Sequence, residues 1–369
     1  MRILHVIENL NTGGAEHMLI NLVTEQVRRQ HQVAVLCLFE PGDLAGNLTA
    51  LGVTVTACHK NIGLNVSVIG KMLATVYTFS PDVVHSHSLM GNYYLAFIRL
   101  FAAPRAVQIV TRHGLLREGH VSRLGFLFHL SLWMTHWAVG VCDVVSTELL
   151  TKHARFKRRI VSIKNGIDLD RFKRRNMHSQ KALKSELKLS AEDRLIGIVA
   201  RLNPVKNHRL LLEAFALVNT QLPHSALIII GEGETRQELE HTVQTLNIAS
   251  KVFFLGNRVD VQDLLAGLDI FTLSSDNEGY SLALLEAAAT SLPLVATDVG
   301  GNRDIAKQGH TGLIVPAKDP VALAEALITL LKNPEQADFM GSNARAWVEK
   351  NASIQAMADA YELLYRKRA

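Results

Sequence analysis

The chain has 369 residues, of which 48% are apolar and 20% charged, with a formal net charge of +5. It is too apolar for a disordered polymer, long enough for two domains with sizeable cores, and only mildly basic. No zinc-finger spacing, helix-turn-helix signature or aromatic-interleaved basic run accompanies the charge, so no nucleic-acid partner is expected; small anions such as nucleotides, or an acidic membrane surface, fit it better.

The cysteines Cys37, Cys58 and Cys142 are scattered, form no CxxC, and read as inert buried thiols of a reducing compartment. The run Ile3 to Ile7 is too short for a signal peptide and is ended by Glu8. The expected location is cytoplasmic, with peripheral attachment at the inner face of the membrane as a further expectation.

Taken in order, Ile3 to Ile7 predicts a strand, Glu8 to Gly14 a loop, and Ala15 to Val23 a helix. Strand, glycine loop and helix is how parallel sheets present backbone amides to phosphates. Gly13-Gly14 does not fit GxGxxG, which argues against a dinucleotide fingerprint. Val33 to Phe39 and the edge-type Gly52 to Val55 follow as strands, and Pro81 to His87 is a strand ending in His85 and His87. Ala106 to Gly114 repeats that plan and ends in His113. Polar residues at the carboxyl ends of parallel strands are where open α/β sheets bind ligands, so His113 and His87 are candidate site residues.

Between Leu124 and Cys142 there is no Asp, Glu, Lys or Arg, which raises a membrane span. His129, Ser131, Thr135 and His136 interrupt the run, and a helix followed by a strand is the preferred reading. Basic clusters follow at Lys152 to Arg159 and Arg171 to Arg175, then a polar stretch to about Ser190, and the break between halves is placed here.

The second half opens as the first did. Leu195 to Ala200 is a strand, Arg201 to Asn207 a loop, and Leu210 to Val218 a helix. Arg201 and Lys206 in that loop suit a diphosphate clamp, Arg as a planar fork and Lys as a mobile point charge. Strands at Ala226 to Gly231, Val252 to Gly256, Asp269 to Leu273, Pro293 to Thr297 and Gly312 to Pro316 follow, and helices close the chain, the last from about Ile354 to Arg366. The stretch Ser275 to Ala289 organises this half. Glu278 precedes a helix start and Glu286 lies about a turn inside it; Gly279 frees the turn and Ser281 is placed to cap it. An anion on the first helical amides would lie between two carboxylates suited to sugar hydroxyls.

With these residues in hand, the chain resembles the retaining glycosyltransferases of family 4, which have the GT-B fold and use nucleotide-sugar donors. Glu278 to Glu286 resembles their Glu-x7-Glu motif, Arg201 with Lys206-Asn207 their phosphate-binding Arg-x4-Lys, and Gly13-Gly14-Ala15-Glu16 their amino-terminal loop. Pro81 to His85, Asn165 to Asp168 and Gly231-Glu232-Gly233 match in order. The resemblance spans nearly the whole chain. It implies an α/β protein of two Rossmann-like parallel-sheet domains facing across a cleft: an acceptor domain at 1–170, a donor domain at 171–353, and a last helix at 354–369 packing back on the first.

The resemblance also implies roles. Arg201 and Lys206 would hold the donor diphosphate with amides near Ser281 and Leu282; Glu286 would bind ribose hydroxyls, and Glu278 with Gly279 the donor sugar. Gly13, Gly14 and Val259 would complete the donor site, His113 would sit near the anomeric carbon, and Glu16 and His87 would line the cleft or acceptor side. Asn165 to Asp168 would lie near a hinge. The family's common Glu-Gly-Phe-Gly-Leu-Pro is here Glu-Gly-Tyr-Ser-Leu-Ala, with Ser281 where a glycine meets the donor.

The expected chemistry follows from charge. Breaking a sugar–phosphate bond leaves negative charge on the diphosphate, and fixed cations with a helix amino terminus offset it. No divalent metal or other cofactor is expected. The resemblance implies a hexosyltransferase acting with retention, UDP-sugar first and GDP-mannose second, on a saccharide or lipid-linked acceptor of cell-surface polysaccharide or glycolipid assembly. Arg117, His120, Arg123 and the apolar helix after them are the features suited to a lipid-linked acceptor or an anionic membrane. A nucleotide-sugar epimerase and a non-catalytic nucleotide-sugar binding protein are the competing readings.

Overall fold

The computed structural model describes residues 1–61, 66–115 and 123–367. Arg117 and His120 lie outside the described residues, and of Arg123 only the backbone is described.

The first part of the chain alternates strand and helix: β1 (Arg2–Ile7), α1 (Gly14–Arg28), β2 (Gln32–Cys37), α2 (Ala45–Thr49), β3 (Thr54–Ala57), α3 (Val66–Phe79), β4 (Val83–Ser86), α4 (Leu89–Ala102), β5 (Val107–Arg112), α5 (Arg123–Ser131), β6 (Trp137–Gly140), α6 (Asp143–Lys152) and β7 (Ile160–Ser162). The second part runs α7 (Met177–Glu186), β8 (Arg194–Val199), α8 (His208–Gln221), β9 (Ser225–Ile230), α9 (Arg236–Thr245), β10 (Val252–Gly256), α10 (Val261–Ala266), β11 (Ile270–Leu273), α11 (Leu282–Ala289), β12 (Leu294–Thr297), α12 (Asn302–Ile305), β13 (Gly312–Val315), α13 (Pro320–Lys332) and α14 (Pro334–Asn351). The helix α15 (Ile354–Arg366) follows. The chain divides into two compact units, Met1–Gly166 with Ile354–Ala369, and Ile167–Ser353.

In the first unit the described strands form one parallel sheet in the order β3-β2-β1-β4-β5-β6-β7. Its strands are nearly continuous apolar runs because helices cover both faces. Leu4, Leu36, Val84, Leu95 and Ile98 fill one layer, and Ile7, Leu19, Val23, Val35 and Leu48 another. The order reverses between β1 and β4, where His5 pairs in register with His85. The acid-free run from Leu124 to Cys142 is the helix α5 and the strand β6, and no described helix is long and apolar enough to cross a membrane.

The second unit is a parallel sheet in the order β10-β9-β8-β11-β12-β13, reversing between β8 and β11. Loops that leave the two strands at such a reversal diverge, and their carboxyl-end crevice is the usual ligand position of open α/β sheets.

Two expectations are revised. The passage between units falls after Gly166, inside the Asn165 to Asp168 segment and a little before the expected break. The polar stretch up to Ser190, given no element from the sequence, holds α7, started by Asn176, whose side chain accepts from the Ser179 amide at 2.9 Å. It buries little beyond Leu183 and the Lys184 stem, too small an apolar stripe to be read from sequence.

Candidate active site

The reversal point of the second sheet brings together the loops that follow β8 and β11. The first runs through a short 3-10 turn, Pro204–Lys206, which Asn203 caps by accepting from the Lys206 amide at 3.1 Å. Asn207 then takes a left-handed conformation (φ 47°) and caps α8 by accepting from Leu210 at 3.2 Å. Asn tolerates that backbone better than most residues. The same Asn207 donates to Asp276 Oδ1 at 2.9 Å, while the Asp276 amide donates to Val205 at 2.8 Å and Ser274 Oγ to the Lys206 carbonyl at 3.0 Å. The two loops are thus stitched into one body.

Across that seam Lys206 Nζ donates to Glu278 Oε1 at 2.6 Å. Ser275 Oγ donates to the same oxygen at 2.6 Å. Glu278 is buried and Lys206 only partly so. Arg201 is exposed and makes no ion pair among the described residues. Ser281 caps α11, its hydroxyl accepting from the Leu284 amide at 3.3 Å. The amides of Leu282 and Ala283 are left at the helix tip, where the dipole is positive.

Two glycine turns hold these loops in place. A Cβ on Gly300, at φ +52°, would fall 1.9 Å from the Glu278 carbonyl oxygen, and the next amide, Gly301, donates to Gly279 at 2.9 Å. Gly231, at φ +136°, and Gly233 both lie so close to the Ala200–Leu202 backbone that a Cβ would approach a carbonyl oxygen to 2.1 Å. The Gly-Glu-Gly sequence therefore lets β9 lie tight against the Arg201 loop.

Glu286 lies one turn inside α11, and burial pushes its carboxyl up to about 7, only partly opposed by Arg171. Val259 is exposed at the tip of the loop between Arg258 and Asp260, which form an ion pair at 2.7 Å. His208, absent from the expected site, is buried beside Lys206 with both ring nitrogens unpartnered among the described residues, and burial lowers it to about 4.

In the first unit Gly13 is the N-cap of α1 and Gly14 its first residue. A Cβ on Gly14 would meet nothing within 4 Å, so the chain's own packing does not demand glycine there; one on Gly13 would meet the Glu16 carboxylate at 2.4 Å. His113 follows β5, partly exposed, with Nδ1 buried and unpartnered among the described residues. Burial, then Arg112, holds it down at about 3.

His87 corrects its expected place on the cleft or acceptor side. It is buried, with His5 Nδ1 at 2.9 Å from one ring nitrogen and His113 Nε2 at 3.1 Å from the other, so it stands behind His113 and has no nitrogen left for a ligand. His5, Gln26, His85, Thr111, Tyr361 and Tyr365, none of them expected in the site, complete a buried network around it. Among the described residues His5, His85 and His87 are close enough to hold a metal ion, but every ring nitrogen of the three already has a hydrogen-bond partner.

Comparison with known proteins gives the family. Residues 12–171 match the model of Glycosyltransferase Family 4, and residues 179–347 match that of Glycosyl transferases group 1. Over 307 residues the chain is 27% identical to N-acetyl-alpha-D-glucosaminyl L-malate synthase of Bacillus anthracis, covering 82% of this chain and 78% of that one. It is 27% identical to UDP-Gal:alpha-D-GlcNAc-diphosphoundecaprenol alpha-1,3-galactosyltransferase of Escherichia coli, covering 77% and 75%. Its fold is that of Anabaena Alr3699/HepE in complex with UDP-glucose, with a TM-score of 0.85 at 22% identity over 98% of this chain and 99% of that one. WaaG, a glycosyltransferase involved in lipopolysaccharide biosynthesis, superposes with a TM-score of 0.79 at 16% identity over 99% and 100%. The protein is an enzyme of the GT-B class, built from two Rossmann-like parallel-sheet domains. It belongs to the group 1 glycosyltransferases of family 4.

Proposed function

We propose that the enzyme transfers a hexose from a UDP-sugar, with retention at the anomeric carbon, to a saccharide or lipid-linked acceptor in cell-surface polysaccharide or glycolipid assembly. The observation that carries this reading is the pairing of Lys206 with Glu278 beside the amino terminus of α11, at the reversal point of the second sheet. Arg201, Lys206 and the Leu282 and Ala283 amides supply positive charge where the leaving diphosphate gains negative charge. Glu278 and Gly279 hold the donor sugar, and Glu286 accepts from the ribose hydroxyls. Gly14 gives the phosphates room, and His113 stands beside the reacting sugar. With that charge in place the leaving group needs no divalent cation. A relative named for UDP-Gal and a neighbour bound to UDP-glucose favour UDP over GDP-mannose. A relative acting on a diphosphoundecaprenol-linked sugar supports the lipid-linked acceptor.

The acceptor side carries a surface suited to an anionic membrane. Phe97 and Phe101 on α4, Phe126 and Leu130 on α5, and Trp133 are exposed. Arg155 lies over the Trp133 ring at 4.5 Å, and exposed Lys152, Lys157 and Arg158 are near it in the chain. Aromatic side chains with flanking cations suit the headgroup region. Salt-sensitive sedimentation with anionic but not neutral vesicles checks this contact.

The donor assignment is tested by thermal shift with UDP, GDP, ADP and their sugar conjugates, with and without EDTA. A rise in midpoint for the uridine series alone, unchanged by EDTA, is expected. A response confined to guanosine ligands would replace the donor, and loss of the response in EDTA would remove the metal-free clamp.

A further inference from the structure

The first unit holds a continuous polar chain, buried in its core except at its partly exposed end, His113. Its members come from β1 (His5), α1 (Gln26), β4 and the residue following it (His85, His87), β5 and the residue following it (Thr111, His113), and α15 (Tyr361, Tyr365). Burial holds His5, His85, His87 and His113 well below the ordinary histidine range, so the rings are neutral near pH 7. A neutral imidazole has one donor and one acceptor nitrogen, so a chain of such rings has a direction.

The carboxamide of Gln26 sets that direction. Its Oε1 lies 2.8 Å from His5 Nε2 and its Nε2 lies 3.1 Å from the Tyr365 hydroxyl. Hydrogen bonds of N–H to O centre near about 2.9–3.0 Å and those of O–H to O near about 2.7–2.8 Å. Both contacts therefore fit N–H donors to oxygen. The reversed amide would need a short N–H to N bond and a long O–H to O bond. With Oε1 accepting from His5 Nε2, His5 Nδ1 is the acceptor of the His87 Nε2–H at 2.9 Å. His87 Nδ1 then accepts from His113 Nε2–H at 3.1 Å, and the proton of His113 is spent on that bond. The other arm runs consistently: Tyr365 donates to His85 Nδ1 at 2.9 Å, and His85 Nε2 donates to Thr111 at 2.8 Å.

We propose that Gln26 is a positioning residue that fixes, through His5 and His87, the tautomer of His113, so that His113 offers an unprotonated Nδ1 as acceptor to a sugar hydroxyl. This rests on the placement of His113 beside the reacting sugar. A reversal would make Nδ1 a donor and would require His5, His87 and His113 all to exchange tautomers.

The test uses the full chain labelled with ¹⁵N at histidine, with two-bond ¹H–¹⁵N correlation spectra and steady-state transfer kinetics. The wild-type spectrum is expected to show His113 protonated at Nε2; protonation at Nδ1 overturns the proposal. Gln26→Met keeps the volume and removes the acceptor. It is expected to give His113 in mixed tautomers and a kcat lowered about tenfold, with little change in KM for the donor. Gln26→Glu keeps an acceptor oxygen and is expected to restore the single tautomer and most of kcat. A wild-type tautomer in Gln26→Met overturns the relay. Mixed tautomers with unchanged kcat keep the relay and overturn the placement of His113 at the sugar. If Gln26→Met fails to fold, Gln26→Leu, which also removes the acceptor, takes its place with the same expected and overturning outcomes.

Discussion

Lys206 and Glu278 meet at 2.6 Å, each from one of the two loops that flank the strand-order reversal of the second sheet. Glu278 is buried, and its carboxylate also accepts from Ser275. The contact holds the ammonium in one place instead of leaving it to search from a flexible stem.

Lys206→Ala is expected to lower kcat/KM by on the order of 10²–10³, the range seen on removing one preorganised charge-stabilising donor. The fold persists, because Ser275 still serves Glu278 and the Asn207–Asp276 bond still joins the loops. Kinetics with far-UV circular dichroism check this; near wild-type turnover would remove Lys206 from the clamp.

Gly300→Ala tests the turn beneath Glu278. Its φ of +52° and the 1.9 Å approach to the Glu278 carbonyl leave no room for a methyl group. The substitution is expected to cost more than about 1 kcal/mol of stability and to weaken donor binding by moving the Glu278–Gly279 backbone. Denaturant unfolding and nucleotide titration measure the two effects separately.

Glu286 gives a pH signature. Its carboxyl is pushed up to about 7 from an ordinary 4.5, so between those values the folded state binds more protons than the unfolded one. Stability from this group is complete below the unfolded value and is lost as pH rises through the folded value. In the absence of nucleotide, Glu286→Gln is therefore expected to match wild type in thermal midpoint near pH 4.5 and to exceed it by a few degrees at pH 8. A gap independent of pH would contradict the buried-carboxyl account. If Glu286 serves the ribose hydroxyls as proposed, donor affinity falls in the same variant, which lacks an ionised acceptor.

Tyr365→Phe removes the hydroxyl that accepts from Gln26 and donates to His85. Both partners are buried, so the loss is expected to be on the order of 2 kcal/mol, read from the unfolding of the first unit.

Much of this was legible in the order of elements. Apolar strands alternating with amphipathic helices announced two parallel sheets, and Ser281 and Gly279 marked where a helix begins and its loop turns. The helix α7 was not legible, because its buried face is little more than Leu183 and a lysine stem. The histidine network was hidden for a different reason. His5 sits among the apolar Ile3, Leu4, Val6 and Ile7 of its strand, and its significance comes from register, since parallel pairing sets it against His85. That coincidence, a histidine in each of two apolar strands, is visible in sequence only once the strand order is known. Tyr361 and Tyr365 arrive from a helix hundreds of residues away, and no local pattern links them to Thr111 or Gln26.

The discontinuity of the first unit bears on the order of synthesis. Its sheet leaves the ribosome first, yet α15 is made only after the whole of Ile167–Ser353. Until then Tyr361 and Tyr365 are missing, and His85, Thr111 and Gln26 lack the hydroxyls that satisfy them in the folded protein. The continuous second unit has all its strands and can fold while the first waits. Nascent chains released before α15 should therefore carry a finished second unit and an unfinished first. Translation of the final helix is then the step that commits the enzyme to its native core.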